Sequence, residues 1–142
     1  MFWRKNTHMS IKKNNILPKE EMDKQFEYIK RIKAENDNYS ELSGLRRKAF
    51  VMTFGCQQNE ADSEKIAGMA EAMGYEITYT PAEASLIVVN TCAIREHAEQ
   101  KALSIVGQYK HLKAKKPSLL IAVCGCMVAQ EHRREDIKHK YP

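Results

Sequence analysis

Four short runs of residues with strand character follow one another along the last two thirds of the chain. Three of them are rich in valine, isoleucine, leucine or phenylalanine, and the second run alternates apolar and polar residues. Runs of this length, bounded by glycine, proline or polar residues, are typical of β-strands. The predicted strands are Lys48–Phe54, Tyr75–Thr80, Ser85–Asn90 and Leu119–Cys124.

Between these runs, apolar residues recur at spacings of three and four, which is the period of an amphipathic helix. They predict helices from about Asn59 to Met73, from Ile94 to Ala114 and from Ala129 to His139. Strands joined by long helical crossovers are parallel, with right-handed connections. The pattern therefore predicts an α/β fold with a mostly parallel sheet of βαβ units flanked by helices. We expect the less apolar Tyr75–Thr80 strand at an edge.

A helical extension precedes this unit. Apolar residues at helical spacing from Lys19 to about Glu35 predict one amphipathic helix, which we expect Asn36 and the two residues after it to end. Ser40–Lys48 is predicted to be a linker, and residues 1–18 are polar and irregular. The sequence is thus divided into a basic, partly disordered extension (1–47) and an α/β domain (48–142).

The net charge of +5 lies in the N-terminal third of the chain. Residues 1–48 contain 12 lysines and arginines against 7 acidic residues, whereas residues 49–142 contain 11 of each kind. A basic arm attracts nucleic-acid phosphates by releasing their counterions. The plainer interpretation is a solvated extension that keeps the protein soluble.

The composition is that of a globular protein, with 43% hydrophobic and 29% charged residues. No apolar run approaches the roughly 20 residues that span a bilayer, and the N-terminus lacks the apolar segment of a signal peptide. We therefore expect a cytoplasmic protein with no membrane part, and a monomer. Four cysteines in such a chain are more typical of ligands, catalytic groups or core residues than of disulfides.

Three cysteines each follow a predicted strand and precede a predicted helix: Cys56, Cys92 and Cys126. The carboxyl ends of parallel strands open onto one edge of the sheet, where ligands bind. Thiols at equivalent strand ends therefore converge in space although they are far apart in sequence. A helix N-terminus beside each thiol also favours the thiolate form that binds metals. The spacing thus predicts a metal or cluster site.

Several kinds of site remain open on spacing alone. Three thiolates suit a [4Fe–4S] cluster with one iron left for a non-protein ligand, or a three-ligand zinc centre with an open position. Cys124, within the last strand, is predicted to be a core residue, although a redox pair of Cys124 and Cys126 is a third option. A binding module for tRNA or protein, with zinc or without any cofactor, is the non-catalytic alternative. The five histidines follow no ligand spacing.

Three longer strings carry a resemblance to a known family. They are TFGCQQNEADSE (Thr53–Glu64), VVNTCAIREHAEQKA (Val88–Ala102) and CGCMVAQE (Cys124–Glu131). Together, and in this order, they resemble the N-terminal domain of the methylthiotransferase family, closest to the branch that modifies N6-isopentenyladenosine in tRNA. The resemblance covers residues 46–142, and Gln58 stands where many members carry methionine.

The resemblance implies a radical-SAM enzyme with two [4Fe–4S] clusters that adds a methylthio group at C2 of the isopentenylated adenosine near the anticodon. Its partners would be tRNA and S-adenosylmethionine. The family's three auxiliary-cluster ligands map onto Cys56, Cys92 and Cys126, and Cys124 lies outside that pattern. The family's CxxxCxxC motif, which holds the second cluster and S-adenosylmethionine, is absent from this sequence. The resemblance therefore implies a truncated chain, incomplete at the end of its first domain and not catalytic alone.

Polar residues beside the predicted ligands have two interpretations. Asn59 and Asn90 are expected either to donate hydrogen bonds to cluster sulfurs or simply to cap helices and turns. Arg95 and Glu96, at the start of the helix after Cys92, are candidates to bind substrate or to pair with each other.

Overall fold

The computed structural model describes residues 17–92 and 96–140. Its four strands form one sheet in the order β2–β1–β3–β4, and all three neighbouring pairs are parallel. This confirms the predicted α/β fold and the place of β2 at an edge. The strands are β1 (Lys48–Thr53), β2 (Glu76–Ile77), β3 (Leu86–Thr91) and β4 (Leu120–Gly125).

Helices precede the sheet and connect its strands. The strand predicted over Tyr75–Thr80 shortens to two residues, because the chain turns after Ile77 into a short 3-10 turn that begins at Pro81. The helices are α1 (Lys19–Ser43), α2 (Gln57–Ala72), α3 (Glu96–Lys115), α4 (Cys126–Ala129) and α5 (Glu131–Lys140). No helix in the described ranges has both the length and the apolar character that a bilayer crossing requires.

The last predicted helix is confirmed as α5, which begins two residues later than expected and is preceded by the short, unpredicted helix α4. A single helix was expected from Ala129 to His139, but Gln130 takes an extended conformation, with φ −78° and ψ 121°, and separates α4 from α5. The short α4 continues directly from β4, so that the chain turns into helix at Cys126 rather than three residues later. This early turn keeps Cys126 at the edge of the sheet.

The hydrophobic core lies on both faces of the sheet. On one face, Ile87 and Val89 of β3 pack with Val106 and Tyr109 of α3. The Tyr109 ring also meets the Phe50 ring edge-on at 6.3 Å, an arrangement that aromatic quadrupoles favour. On the other face, Ala49, Ala70 and Tyr75 form a smaller cluster. Because the sheet is covered on both sides, its strands are fixed in register and their carboxyl ends stay aligned.

Helix α1 is longer than the sequence predicts, and the expected stop at Asn36 is wrong. Asn36 is only 2% exposed. Its side-chain amide donates a 2.7 Å hydrogen bond to the Met73 carbonyl, and its Oδ1 accepts a 3.1 Å bond from Arg47. The Arg47 guanidinium also stacks over the Tyr39 ring at 4.6 Å. Tertiary contacts thus override the weak helix propensity of asparagine, and the helix ends at Gly44, where φ is 70°.

Replacing Asn36 with alanine is expected to reduce the free energy of unfolding by about 1–3 kcal/mol, because the half-buried Met73 carbonyl would lose its donor. Urea denaturation monitored by circular dichroism measures this loss. Asn38→Ala is the matched control, since Asn38 lies on the same helix but is exposed. Equal losses for the two variants would contradict a specific role for Asn36.

Candidate functional site

The three predicted cysteines all lie where a strand of the central sheet ends. Cys56 is the N-cap of α2, three residues after β1. Cys92 follows β3 directly, and Cys126 opens α4 directly after β4. Since β1, β3 and β4 are adjacent and parallel, the structure brings all three cysteines to the edge of the sheet formed by the carboxyl ends of its strands.

Two glycines allow these three loops to come close together. Gly55 has a φ of 143°, and a Cβ added there would lie 2.6 Å from the Cβ of Cys92. Gly125 has a φ of 95°, and its added Cβ would lie 2.1 Å from the Thr91 carbonyl oxygen. Only glycine tolerates both the conformation and the contact. The backbone before Cys56 and the backbone before Cys126 are thereby both held against the segment that ends at Cys92.

The three thiols differ in their surroundings. Cys92 is buried, with 3% of its surface exposed, whereas Cys56 and Cys126 are exposed. Within residues 17–92 and 96–140, no three side chains of histidine, cysteine, aspartate or glutamate are placed as ligands of a single metal ion. The edge therefore presents one thiol from the interior and two thiols toward solvent.

A buried polar network supports this edge from the α2 side. The Asn90 amide donates one hydrogen bond of 2.9 Å to the Asn59 carbonyl and another of 3.0 Å to Ser63 Oγ. The Thr53 hydroxyl donates to Ser63 Oγ at 2.7 Å, and the Asn59 amide donates to the Thr91 carbonyl at 3.2 Å. Both amide hydrogens of Asn90 are thus used within the protein, so the structure favours its structural interpretation over donation to a cluster sulfur.

The start of α2 differs from the sequence prediction, because the helix begins at Gln57 with Cys56 as its N-cap, rather than at about Asn59. Asn59 lies at the third helical position, where its Oδ1 accepts hydrogen bonds from the Cys56 backbone at 3.3 Å and from the Cys56 thiol at 3.4 Å. The Cys56 sulfur in turn accepts a hydrogen bond from the Asn59 backbone N–H, and this reciprocal pair is a capping box. Asn59 therefore positions Cys56 directly, and it also joins α2 to Thr91 at the end of β3.

Cys124 lies one residue before Gly125, inside β4, and is half-buried. Burial raises the pKa of its thiol, and the nearby Asp62 carboxylate adds to that effect. A raised pKa is the opposite of what an attacking thiol requires. Cys124 is therefore a half-buried strand residue rather than a fully buried core residue, and the raised pKa of its thiol does not favour a redox role for it.

The roles of three residues of this network were not predicted from the sequence: Thr53, Ser63 and Thr91. Thr91 is fully buried, and its hydroxyl donates a 2.6 Å hydrogen bond to the Cys124 carbonyl. One sequence feature could have indicated such a network: each of these apolar strands has a polar or cysteine residue near its end. In the structure, Thr53, Asn90 and Cys124 are in register across the sheet. The other two candidates from the sequence were Arg95 and Glu96. Arg95 and the side chain of Glu96 lie outside the described residues.

Asn90→Ala is expected to lower the free energy of unfolding by about 2 kcal/mol, because the Asn59 carbonyl and Ser63 hydroxyl would lose a buried partner. Chemical denaturation measures the change. Gln58→Ala serves as the control, since Gln58 is exposed and bonds only to the nearby Asp62 among the contacts described. A variant as stable as the control would show that the network does not hold β3 to α2.

The sequence of the chain matches a protein family and several curated proteins. Residues 48–142 match the uncharacterized protein family UPF0004. A tRNA-2-methylthio-N(6)-dimethylallyladenosine synthase of Clostridioides difficile is 47% identical over 133 residues, which are 94% of this chain and 28% of that protein. The synthases of Alkaliphilus oremlandii and Acetivibrio thermocellus are 43% and 45% identical, over 94% and 92% of this chain and 27% of each relative.

These matches extend beyond the α/β unit. A match over 133 of the 142 residues reaches into the N-terminal extension as well. The chain spans less than a third of the length of the curated relatives it matches. The matches confirm the resemblance to methylthiotransferases, and the chain therefore belongs to the protein family UPF0004, with tRNA-2-methylthio-N(6)-dimethylallyladenosine synthases among its relatives.

Proposed function

We propose that this chain is the auxiliary-cluster part of a tRNA methylthiotransferase and holds a [4Fe–4S] cluster through Cys56, Cys92 and Cys126. The whole protein would add a methylthio group at C2 of N6-dimethylallyladenosine, as the names of the relatives suggest. The chain alone would hold the cluster without turning over substrate, since it has no cysteine after Cys126 to bind a second cluster.

The observation that carries this proposal is the register of the sheet. Thr53 pairs with Asn90, Asn90 pairs with Cys124, and Thr91 pairs with Gly125. The three cysteines therefore lie two or three residues beyond this common level, on three adjacent strands. Because the cysteines are aligned in this way, the core would not have to rearrange for three sulfurs to surround one bound group.

The donor set suits a cluster better than a single ion. In a [4Fe–4S] cluster each thiolate binds a different iron, so the three sulfurs surround the group and need not meet at one point. Two of the thiols lie at the surface and one lies in the interior. A cluster bound by all three would therefore contact the protein on one side. Three protein ligands leave the fourth iron open to an external ligand, which supplies a place for sulfur chemistry.

The residues of the chain would position this group and shield one side of it. The capping box fixes the Cys56 backbone relative to Asn59. Gly55 and Gly125 keep the flanking loops within contact distance of β3. Met127 is fully buried directly after Cys126, so the start of α4 is anchored in the core. These contacts fix the protein side of the site before any ligand is bound, which reduces the cost of ordering on binding.

Metal analysis of the purified chain tests the proposal. After anaerobic incubation with iron and sulfide, we expect about four irons and as many sulfides per chain, with the visible absorption of an iron–sulfur cluster. Zinc in place of iron, or a folded protein without metal, would support the alternative of a non-catalytic zinc, tRNA or protein-binding module. Formation of methylthio-modified tRNA by the chain alone would contradict the predicted absence of turnover.

A further inference from the structure

Thr91 lies at the centre of the edge that carries the three cysteines. It is the last residue of β3, it is fully buried, and it directly precedes Cys92. On one side β3 pairs with β1, which leads to Cys56, and on the other side it pairs with β4, which leads to Cys126. Contacts from Thr91 to either side therefore reach a segment that carries a cysteine.

Toward Cys126, Thr91 makes two contacts with the end of β4. Its hydroxyl donates a 2.6 Å hydrogen bond to the Cys124 carbonyl. Its own carbonyl oxygen lies so close to Gly125 that a Cβ added there would be 2.1 Å away. A buried hydroxyl costs free energy unless it is bonded, so this bond is strongly retained in the fold. The hydroxyl therefore ties the chain two residues before Cys126 to the residue before Cys92.

Toward Cys56, the connection runs through Asn59. The Thr91 carbonyl accepts a 3.2 Å hydrogen bond from the Asn59 amide. Asn59 Oδ1 in turn accepts a 3.3 Å bond from the Cys56 backbone N–H. Asn59 is only 6% exposed, and hydrogen bonds in such a water-poor environment are electrostatically strong. Thr91 is thus joined to both neighbouring segments, to one through its hydroxyl and to the other through its carbonyl.

We infer that Thr91 is a positioning residue, which sets the spacing of Cys56, Cys92 and Cys126 by holding both neighbouring segments to its own. It acts through the backbone of those segments rather than by binding iron. A cluster has a fixed size, so ligands that are already held at matching distances bind it without ordering the loops anew. The role toward a cluster rests on the function proposed above, whereas the effect on the spacing of the thiols requires no cluster.

The distance between thiols in the metal-free chain tests the inference directly. Nitroxide labels are attached to the exposed Cys56 and Cys126 in a chain with Cys92→Ala and Cys124→Ala, since alanine retains the Cβ of each replaced cysteine. The magnetic coupling between the labels reports their distance and its spread. Thr91→Val removes the hydroxyl but keeps the shape, and it should broaden the distance distribution. Thr91→Ser keeps the hydroxyl and should leave the distribution as it is in the parent chain.

Thr78→Val is the matched control. Thr78 is also buried, with 8% of its surface exposed, and its hydroxyl bonds to Glu83 and to the Thr80 backbone in the turn after β2. This turn carries no cysteine, so the label distances of the control should equal those of the parent chain. Circular dichroism checks that all variants are folded. Equal distance distributions for Thr91→Val and Thr78→Val would overturn the inference.

The reconstituted cluster gives the second test. Thr91→Val should release iron to a chelator about ten times faster than the wild type, whereas Thr91→Ser and Thr78→Val should release it at the wild-type rate. Asn59→Ala should also release iron faster. Its control is Asn36→Ala, which likewise removes a buried amide, but one bonded to the Met73 carbonyl at the far end of α2.

The two tests separate failure of the inference from failure of the proposed function. A wild type that takes up no iron would contradict the proposed function alone, because the label distances still decide the role of Thr91. A Thr91→Val protein that keeps its iron as long as the wild type would overturn the role of Thr91 toward the cluster while leaving the cluster itself established.

Discussion

Cys92→Ala is expected to reduce the iron bound after anaerobic reconstitution from about four ions per chain to nearly none. Cys92 is the buried thiol of the three, and the loops that carry Cys56 and Cys126 both rest on the segment that it ends. Without it, only the two exposed thiols would remain, and two ligands do not hold a [4Fe–4S] cluster in water. Iron and sulfide counts, together with the visible spectrum, measure the loss.

The matched control is Cys124→Ala, which removes a thiol from the same edge of the sheet. Cys124 lies within β4, and burial raises the pKa of its thiol, so this variant should keep its full iron content. The unfolding free energy of both variants, measured without iron, separates loss of a ligand from loss of the fold. Equal iron in the two variants would remove Cys92 from the ligand set, and the assignment of all three cysteines would have to be reconsidered.

Gly125→Ala is expected to lower the free energy of unfolding by at least about 3 kcal/mol. The new Cβ would lie 2.1 Å from the Thr91 carbonyl oxygen and 2.8 Å from Asn90 Oδ1, at a φ of 95° that disfavours alanine. Backbone atoms cannot move aside as a flexible side chain can. The end of β4 must therefore separate from β3, which would also displace Cys126 from the edge.

The same substitution in α2 should have the opposite effect. Gly68 lies within the helix, and a Cβ added there meets no atom within 4 Å. Gly68→Ala should therefore raise the free energy of unfolding by about 0.5–1 kcal/mol through helix propensity alone. Thermal or urea denaturation of the two variants gives the comparison. A Gly125→Ala protein as stable as Gly68→Ala would show that the close approach of β4 and β3 is not required.

Local sequence patterns were sufficient to predict the main elements of the fold. The apolar runs marked the strands because buried parallel strands are apolar on both faces, and the cysteines were predicted at the strand ends because each follows such a run. The edge position of β2 followed from its polar residues. In each case the signal is local and depends on residue type alone.

Contacts between distant residues were not predictable in this way. Asn36 resembles a helix stop until Met73 and Arg47, which lie 37 and 11 positions away, are known to be its partners. The need for glycine at position 125 arises from the Thr91 carbonyl on another strand. Asn90 was considered as a cluster donor, and only the hydrogen bonds to Asn59 and Ser63 show that its amide is engaged within the protein.

The strand order β2–β1–β3–β4 also has a consequence for synthesis on the ribosome. The chain leaves the ribosome from its N-terminus, and domains can fold as they emerge. Strand β1 emerges first, β2 then pairs along one side of it, β3 along the other side, and β4 pairs with β3. Each new strand meets an edge that already exists, so no strand has to insert between two others. The sheet can therefore grow outward during translation, and Cys126 joins the two earlier cysteines only when the last strand has emerged.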